Sequence, residues 1–595
     1  MPQVQVMIPY SEVYGEPWSF DLLRSLVATI SRTDALIWCA RLNLVLANPN
    51  VPHVAAQETA MSCFLGLSEI ERVQRFAAKH GGANGVAVFG RAQLLEALRW
   101  VSLLAADLPG DGTTFEDPAV RRVFAQVLLI AAEIWLARVY RNGLPNSGDL
   151  HADRIAAMPF TRQAIALMTP ALNVNVALAR SRGIYDAAFR RFPGGIRAFE
   201  LATGMTLDEY LACVYGFACD LPNYTPEKMD GKNGIFDEND WGPDVTEQGR
   251  AILRRFIATE AQTMDQLGDA LGRRTLLPDL LDGTEPFDYK PLRQRPILRV
   301  GDGRGIVIDP GLLMERAVTG PLFIAAQQLH GTGAANTVFG AFGDGFEDYM
   351  NLLLSHAYPP APSEVFKAKP IGRWVADGRD IELADGALDQ GKQAVLFEAK
   401  AAFLRDGICD AHDYKKLLRE KYGVSAGSER DRPVKGVGQL ARAVVGLAVG
   451  SLESDALRTA ALEVIYPVLV VHDAALSAPG HADFFAAEFE AAVVPDHRFK
   501  TGHMRKGTLV VAPLTVMTID DLEAHQSSIE RFRLVDFLRD YANLGADAGR
   551  ASLKDFMAGS TKYGYIHSRV TGELSIDAIQ RSARLLFGRA IVVPE

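Results

Sequence analysis

Cysteine is scarce: five residues in 595 (Cys39, Cys63, Cys213, Cys219, Cys409), widely spaced and with no C-x-x-C pair. That spacing excludes a thiolate zinc site and a disulfide framework, and it suits a reducing, cytoplasmic setting. Long hydrophobic runs are also missing. The most apolar stretch, Val123 to Ala137, is broken by Gln126 and Glu133, so it predicts a buried helix and no membrane span. The first residues, MPQVQVMIPYSEVYGEPW, have neither a basic nor an apolar signal region, and no secretory signal is expected. Nor is there a basic surplus: 62 Lys+Arg face 72 Asp+Glu, a net charge of −10. Coating of nucleic acid by bulk charge is thereby excluded, whereas a local basic groove is not.

What is present is an ordinary globular balance, 48% hydrophobic and 23% charged. The length predicts several domains. Apolar residues recur at helical spacing in Leu94, Leu95, Leu98, Val101 and Leu104, and again in Val123, Val127, Ile130 and Ile134. Thr206 before Asp208 and Glu209 predicts a helix start. Residues 1–285 are therefore expected to be a mostly helical domain, and no motif in them converts into chemistry. Residues 286–330 carry Pro286, Pro291 and Pro296, then Ile297 to Val300 and Gly305 to Ile308 around Gly301-Asp302-Gly303. They predict a β-hairpin and a connecting segment. In 331–530 helices alternate with short strands, and the continuous apolar runs Val464 to Val471 and Thr508 to Met517 predict buried central strands. The expected class is α/β, α+β overall: a helical N-terminal domain, an α/β sandwich with a mixed central sheet, and a C-terminal helical extension over 531–595.

One segment carries chemistry. Arg379-Asp380-Ile381-Glu382-Leu383 is followed by a polar turn and then Val395-Leu396-Phe397-Glu398-Ala399-Lys400. A hairpin with its turn centred near Asp389 places Asp380 opposite Glu398, and Glu398 and Lys400 share one face. Asp377, Asp385 and Asp389 compete for the first position, and Asp380 is preferred because the others fall in the turn or before the strand. Charges at the end of an apolar hairpin are costly unless paired or bound to metal. Two carboxylates can hold Mg²⁺, which activates water and neutralises charge on a phosphate, while a lysine orients the water or stabilises the transition state.

With these residues the segment resembles the restriction-endonuclease-like superfamily, known for its PD-(D/E)XK motif, with Arg379-Asp380 in place of Pro-Asp and Glu398-Ala399-Lys400 as the second element. Glu347, in Phe339-Gly340-Ala341-Phe342-Gly343-Asp344-Gly345-Phe346-Glu347, matches the metal-site glutamate that such nucleases carry on a preceding helix. Gln439 matches a glutamine at the start of a following helix. The resemblance covers about 331–530. It implies a Mg²⁺-dependent DNA endonuclease (Mn²⁺ substituting), with Glu347, Asp380 and Glu398 at the metal, Lys400 as catalytic cation and Gln439 assisting. It also implies anti-phage defence as a role and a homodimer for double-strand cutting. The alternative is an inactive scaffold or nucleic-acid-binding protein that keeps the fold. Residues 361–450 carry 15 Lys+Arg against 13 Asp+Glu. Lys415, Lys416, Arg419 and Lys435 are the candidates there for contacts with a phosphate backbone.

Three look-alikes are weaker. Gly386 to Gln393 approaches a P-loop but lacks the Ser/Thr and the following helix. Gly423-Val-Ser425-Ala-Gly427 lacks the strand–turn–helix setting of a nucleophile elbow. Asp230 to Asp240 misses the calcium-loop spacing. His472-Asp473 could approach the active end of the sheet, but a satisfied or exposed histidine is the plainer expectation.

Overall fold

The structure is a computed structural model. It describes residues 6–590 except 49, 81, 83–85, 106–107, 109–116, 144–149, 169–172, 222–223, 226–233, 273–288, 302, 360–363, 405–410, 424–435, 479, 494–503, 507–508, 530, 545–552, 559, 561 and 564–567. The class is mixed helix and sheet. The helical periodicities of the first half become Arg91–Leu104 and Pro118–Gly143, both centred on fully buried apolar residues. Thr206 caps Leu207–Cys219: its hydroxyl accepts from the Glu209 N–H at 3.2 Å, and the Glu209 carboxylate accepts from the Thr206 N–H at 2.8 Å. The expected hairpin is Ile297–Gly301 against Arg304–Val307. It is widened to four strands by Ala261–Thr263 and Ile235–Asp237.

The elements that place the site are the following. Helices α1 (Val174–Arg191), α2 (Pro310–Gln328) and α3 (Ala334–Ala357) precede the sheet. Strands β1 (Val365–Ala368), β2 (Ile371–Trp374), β3 (Asp380–Glu382), β4 (Gly386–Asp389) and β5 (Gln393–Lys400) come next. Then follow α4 (Ala411–Tyr422), α5 (Val437–Val449), β6 (Leu452–Ser454), β7 (Val464–Val471), β8 (Met504–Lys506), β9 (Leu509–Val511) and β10 (Thr515–Thr518). Helices α6 (Ile519–Ile529) and α7 (Arg569–Phe587) close the chain.

The main sheet runs β8-β9-β7-β5-β4-β1, with β10 also on β7. Strand β5 is parallel to β7 from Gln393↔Val464 to Lys400↔Val471 and antiparallel to β4. The apolar run expected as one strand over Thr508 to Met517 is two, β9 and β10, parted at Ala512-Pro513-Leu514. Proline lacks the ladder N–H. Pro467 of β7 lies opposite that same break, between the register pairs Ile465↔Val511 and Val468↔Thr515.

Period-two alternation divides the faces of the sheet. Val395, Phe397, Ala399, Val468 and Val470 enter a core shared with α1, α3 and α7. Ala394, Leu396, Ile465, Leu469 and Val471 enter a second core with α4 and α5. Strands β6, β2 and β3 form a separate small sheet.

Candidate active site

The β4–β5 hairpin turns at Gly391, whose φ of +85° suits glycine. The Gln390 N–H donates to the Gln393 carbonyl at 2.8 Å. This loop sits later in the chain than a turn at Asp389, and the register is Gly386↔Phe397 to Asp389↔Ala394. Continued one step, it sets Asp385 beside Glu398. Asp380 is therefore not the partner of Glu398. It lies on β3, opposite Arg373 of β2, exposed and ion-paired to the Arg373 Nε at 2.8 Å.

Four charged groups do converge. Glu398 is fully buried, and its Oε1 takes the Lys400 Nζ at 2.7 Å and the Gly436 N–H at 3.2 Å. Its other oxygen, Oε2, is buried with no hydrogen-bond partner among the described residues. Asp385 Oδ2 accepts from the Ala399 N–H at 2.6 Å and lies 3.8 Å from Lys400 Nζ. Glu347, on α3, is tied through Oε2 to Lys369 Nζ at 3.0 Å. Burial and the adjacent Asp385 push Glu398 up to about 8, against the pull of Lys400. Burial likewise raises Glu347, with Asp385 adding and Lys369 opposing, and it raises Asp385 against Lys400 and the Ala399 N–H. Lys400 keeps its proton: burial lowers its pKa, but Glu398 and Asp385 raise it further.

Lys369 is a site residue that sequence reasoning missed. It has a φ of +46°, the only positive value outside glycine among the described residues. Its N–H donates to the Asp385 carbonyl at 2.9 Å and its ammonium reaches Glu347. A lysine held in this sparsely populated conformation costs on the order of 1 kcal/mol, and such strain gathers at functional sites. No pattern around Lys369 announces it. Asp385 had a signal, because Gly391-Lys392 is the better two-residue turn and Leu383-Ala384 before it are fully buried.

Gln439 stands in the first turn of α5, half-buried, without a hydrogen bond to Lys400. It is the preceding Gly436 that reaches the acids, with φ +58° and an added Cβ 2.0 Å from the Tyr422 carbonyl oxygen. Lys415 and Lys416 lie on α4, Arg419 is engaged with Glu488 at 2.7 Å, and Lys435 falls outside the described residues. The Ser425 and Cys409 positions fall outside them too. His472 follows β7, buried among Phe342, Phe346 and Phe403 with its Nε2 unpartnered among the described residues, and Asp473 is paired to Arg162 at 2.8 Å.

As the side chains stand, no group of three His, Cys, Asp or Glu residues among those described forms a ready metal cage, and Lys400 occupies the space between two of the acids. The donor chemistry still fits a hard cation. Glu347, Asp385 and Glu398 offer carboxylate oxygens, burial and mutual proximity raise their pKa values, and Glu398 Oε2 is an orphaned acceptor among the described residues. No described helix is long and apolar enough to cross a membrane. Comparison of the chain with protein-family models, curated proteins and solved structures found no match.

Proposed function

We propose that this chain is a metal-dependent nuclease of the restriction-endonuclease-like kind, acting on DNA. The observation that carries the reading is the convergence of Glu347, Asp385, Glu398 and Lys400 at the end of β4 and β5, with one buried carboxylate oxygen unpartnered. Asp385 takes the role expected of Asp380. Glu347, Asp385 and Glu398 would hold Mg²⁺ or Mn²⁺, which when bound lowers the pKa of a coordinated water and offsets charge on the phosphate. Lys400, which its acidic neighbours hold protonated, donates hydrogen bonds to a phosphate oxygen or to the attacking water. The Gly436 N–H fixes the Glu398 carboxylate and leaves Oε2 for other work. Lys369 holds Glu347 in place.

The test uses the full chain with Mg²⁺ or Mn²⁺ on plasmid and single-stranded substrates. Asp385→Ala and Lys400→Ala should each lower cleavage by at least about a hundredfold, as removal of a charge-stabilising group does. Asp380→Ala should stay within about twofold of the parent, since surface ion pairs contribute little. Undiminished cleavage by both Asp385→Ala and Lys400→Ala overturns the assignment. One observation favours the second reading, an inactive scaffold: Lys400 already neutralises Glu398. Calorimetric titration separates the two, because a scaffold shows no Mn²⁺ binding that Glu398→Ala removes.

A further inference from the structure

A cleft of about 2000 Å³ has Ala401, the residue after Lys400, in its lining. Drug-sized pockets reach only about 1,000 Å³, so this cleft has room for more than one small molecule. Residues Ala401 to Leu404, continuing β5 past Lys400, form one wall, and the opposite wall comes from α2 and the helical half of the chain. Lys and Arg outnumber Asp and Glu along the walls, nine to four, in a chain whose net charge is −10. Six of the seven guanidiniums are held by acids, four of them by acids behind the walls: Arg91 by Asp309, Arg180 by Glu523, Arg255 by Glu209 and Arg316 by Glu260. Arg295 and Lys421 are exposed and make no ion pair among the described residues.

Aromatic faces stand at the same opening. Phe323 is 41% and Phe339 36% exposed, with ring centroids 5.8 Å apart, and both pack on Phe403 at 5.3 and 6.4 Å. From there α3 offers a track to the acids. Asn336, Gly340, Gly343 and Glu347 follow at spacings of four, three and four, which is one helical face. An added Cβ at Gly340 or Gly343 would meet nothing within 4 Å, so packing does not require either glycine. His472 also lines the cleft, buried, with its Nε2 unpartnered.

We propose that this cleft seats a single-stranded polynucleotide, its bases stacked on Phe323 and Phe339 and its backbone along Arg295 and Lys421, entering the Glu347–Lys400 site over the bare face of α3. The proposal rests on the nuclease reading for what happens to the strand, but not for its binding. A duplex hides its base faces within the stack, whereas exposed rings beside the cations of Arg295 and Lys421 match an unpaired strand. The sugar does not enter the argument, so a deoxyribose or a ribose strand fits equally.

The experiment measures fluorescence anisotropy of the full chain in calcium, in place of magnesium, with labelled oligo-dT and oligo-rU of about 20 nucleotides, longer than common single-strand sites, and with a duplex of equal length. At least one single strand should bind about tenfold or more tightly than duplex. Phe323→Ala/Phe339→Ala should weaken that binding about tenfold or more and leave duplex unchanged. Arg295→Glu/Lys421→Glu should weaken it and flatten its salt dependence. Equal affinity for duplex, or parental single-strand affinity in both folded variants, overturns the proposal. If the Phe variant loses its thermal transition, the variant with two exposed charges replaced decides alone. Single-strand binding without any cleavage in Mg²⁺ or Mn²⁺ leaves the cleft standing and removes the nuclease reading. Plasmid cleavage without single-strand preference does the reverse.

Discussion

His481 is fully buried and hydrogen-bonded on both ring nitrogens: Nδ1 to the Ala478 carbonyl at 3.0 Å and Nε2 to the Tyr414 hydroxyl at 2.9 Å. A neutral ring satisfies both contacts, with Nδ1–H donating and Nε2 accepting. Burial lowers its pKa to about 4, with Arg162 adding to the shift and the Ala478 carbonyl and Asp473 opposing it. The folded value lies below the unfolded value of 6.5, so the unfolded chain takes up the proton first. Stability is therefore complete above pH 6.5 and lost as pH falls toward 4, by at most about 3 kcal/mol for the one group. His472, also lowered to about 4 mainly by burial, acts in the same direction. Urea midpoints across pH 4.5 to 7.5 check this: the parent should weaken on acidification, and His481→Asn should weaken less steeply. Parallel profiles would show that His481 is not held neutral.

Helix α3 brings Glu347 to the site, and its glycines have opposite meanings. An added Cβ at Gly345 would meet the Ile184 carbonyl oxygen at 2.4 Å, and one at Gly183 would meet the Tyr349 ring at 2.2 Å. Helices α1 and α3 thus cross in contact, two residues from Glu347. Gly345→Ala forces them apart and should cost about 1–3 kcal/mol. Gly340→Ala, with open space around it, should stabilise by roughly 0.5–1 kcal/mol through helix propensity. Differential scanning calorimetry reads the two signs, and equal shifts would count against the crossing. The same helix shows how far the sequence is legible. Val338, Ala341, Phe342 and Phe346 keep the apolar spacing through its glycines, and the helix begins at Ala334. Glu347, Glu398 and Lys400 are readable because an E-x-K pair ends an apolar strand and a helix precedes it. Asp380 misleads because the hairpin register turns on one glycine, Gly391, and moving the turn by a few residues exchanges one aspartate for another. Lys369 and the Gly436 N–H depend on contacts between distant segments, which leave no periodic mark.

At the scale of the whole molecule, the core does not respect the division suggested by composition. One contiguous cluster joins Leu178 and Ile184 of α1, Phe346 and Leu353 of α3, Phe397 of β5, Val468 of β7, and Leu534, Phe537, Ile579 and Leu586 near the C-terminus. A buried polar link crosses the same boundary. Arg180 of α1 donates to the Glu523 carboxylate of α6, with Nε to Oε1 at 2.9 Å, and that oxygen also accepts from the Tyr349 hydroxyl at 2.9 Å. Burial raises Glu523, opposed by Arg180, so the acid depends on the guanidinium that only the helical half supplies. A chain beginning at residue 331 keeps every proposed catalytic group but loses Arg180 and the apolar face of α1. Stranding a buried carboxylate costs about 3–5 kcal/mol, comparable to much of a domain's net stability. That shortened chain should show no cooperative thermal transition and should bind a hydrophobic dye. A chain ending at residue 530 should fail likewise, since it removes α7 from α1. A sharp transition with native near-ultraviolet dichroism in the 331–595 chain would mean that the sheet and its helices fold alone, and that the helical half is an attachment to them.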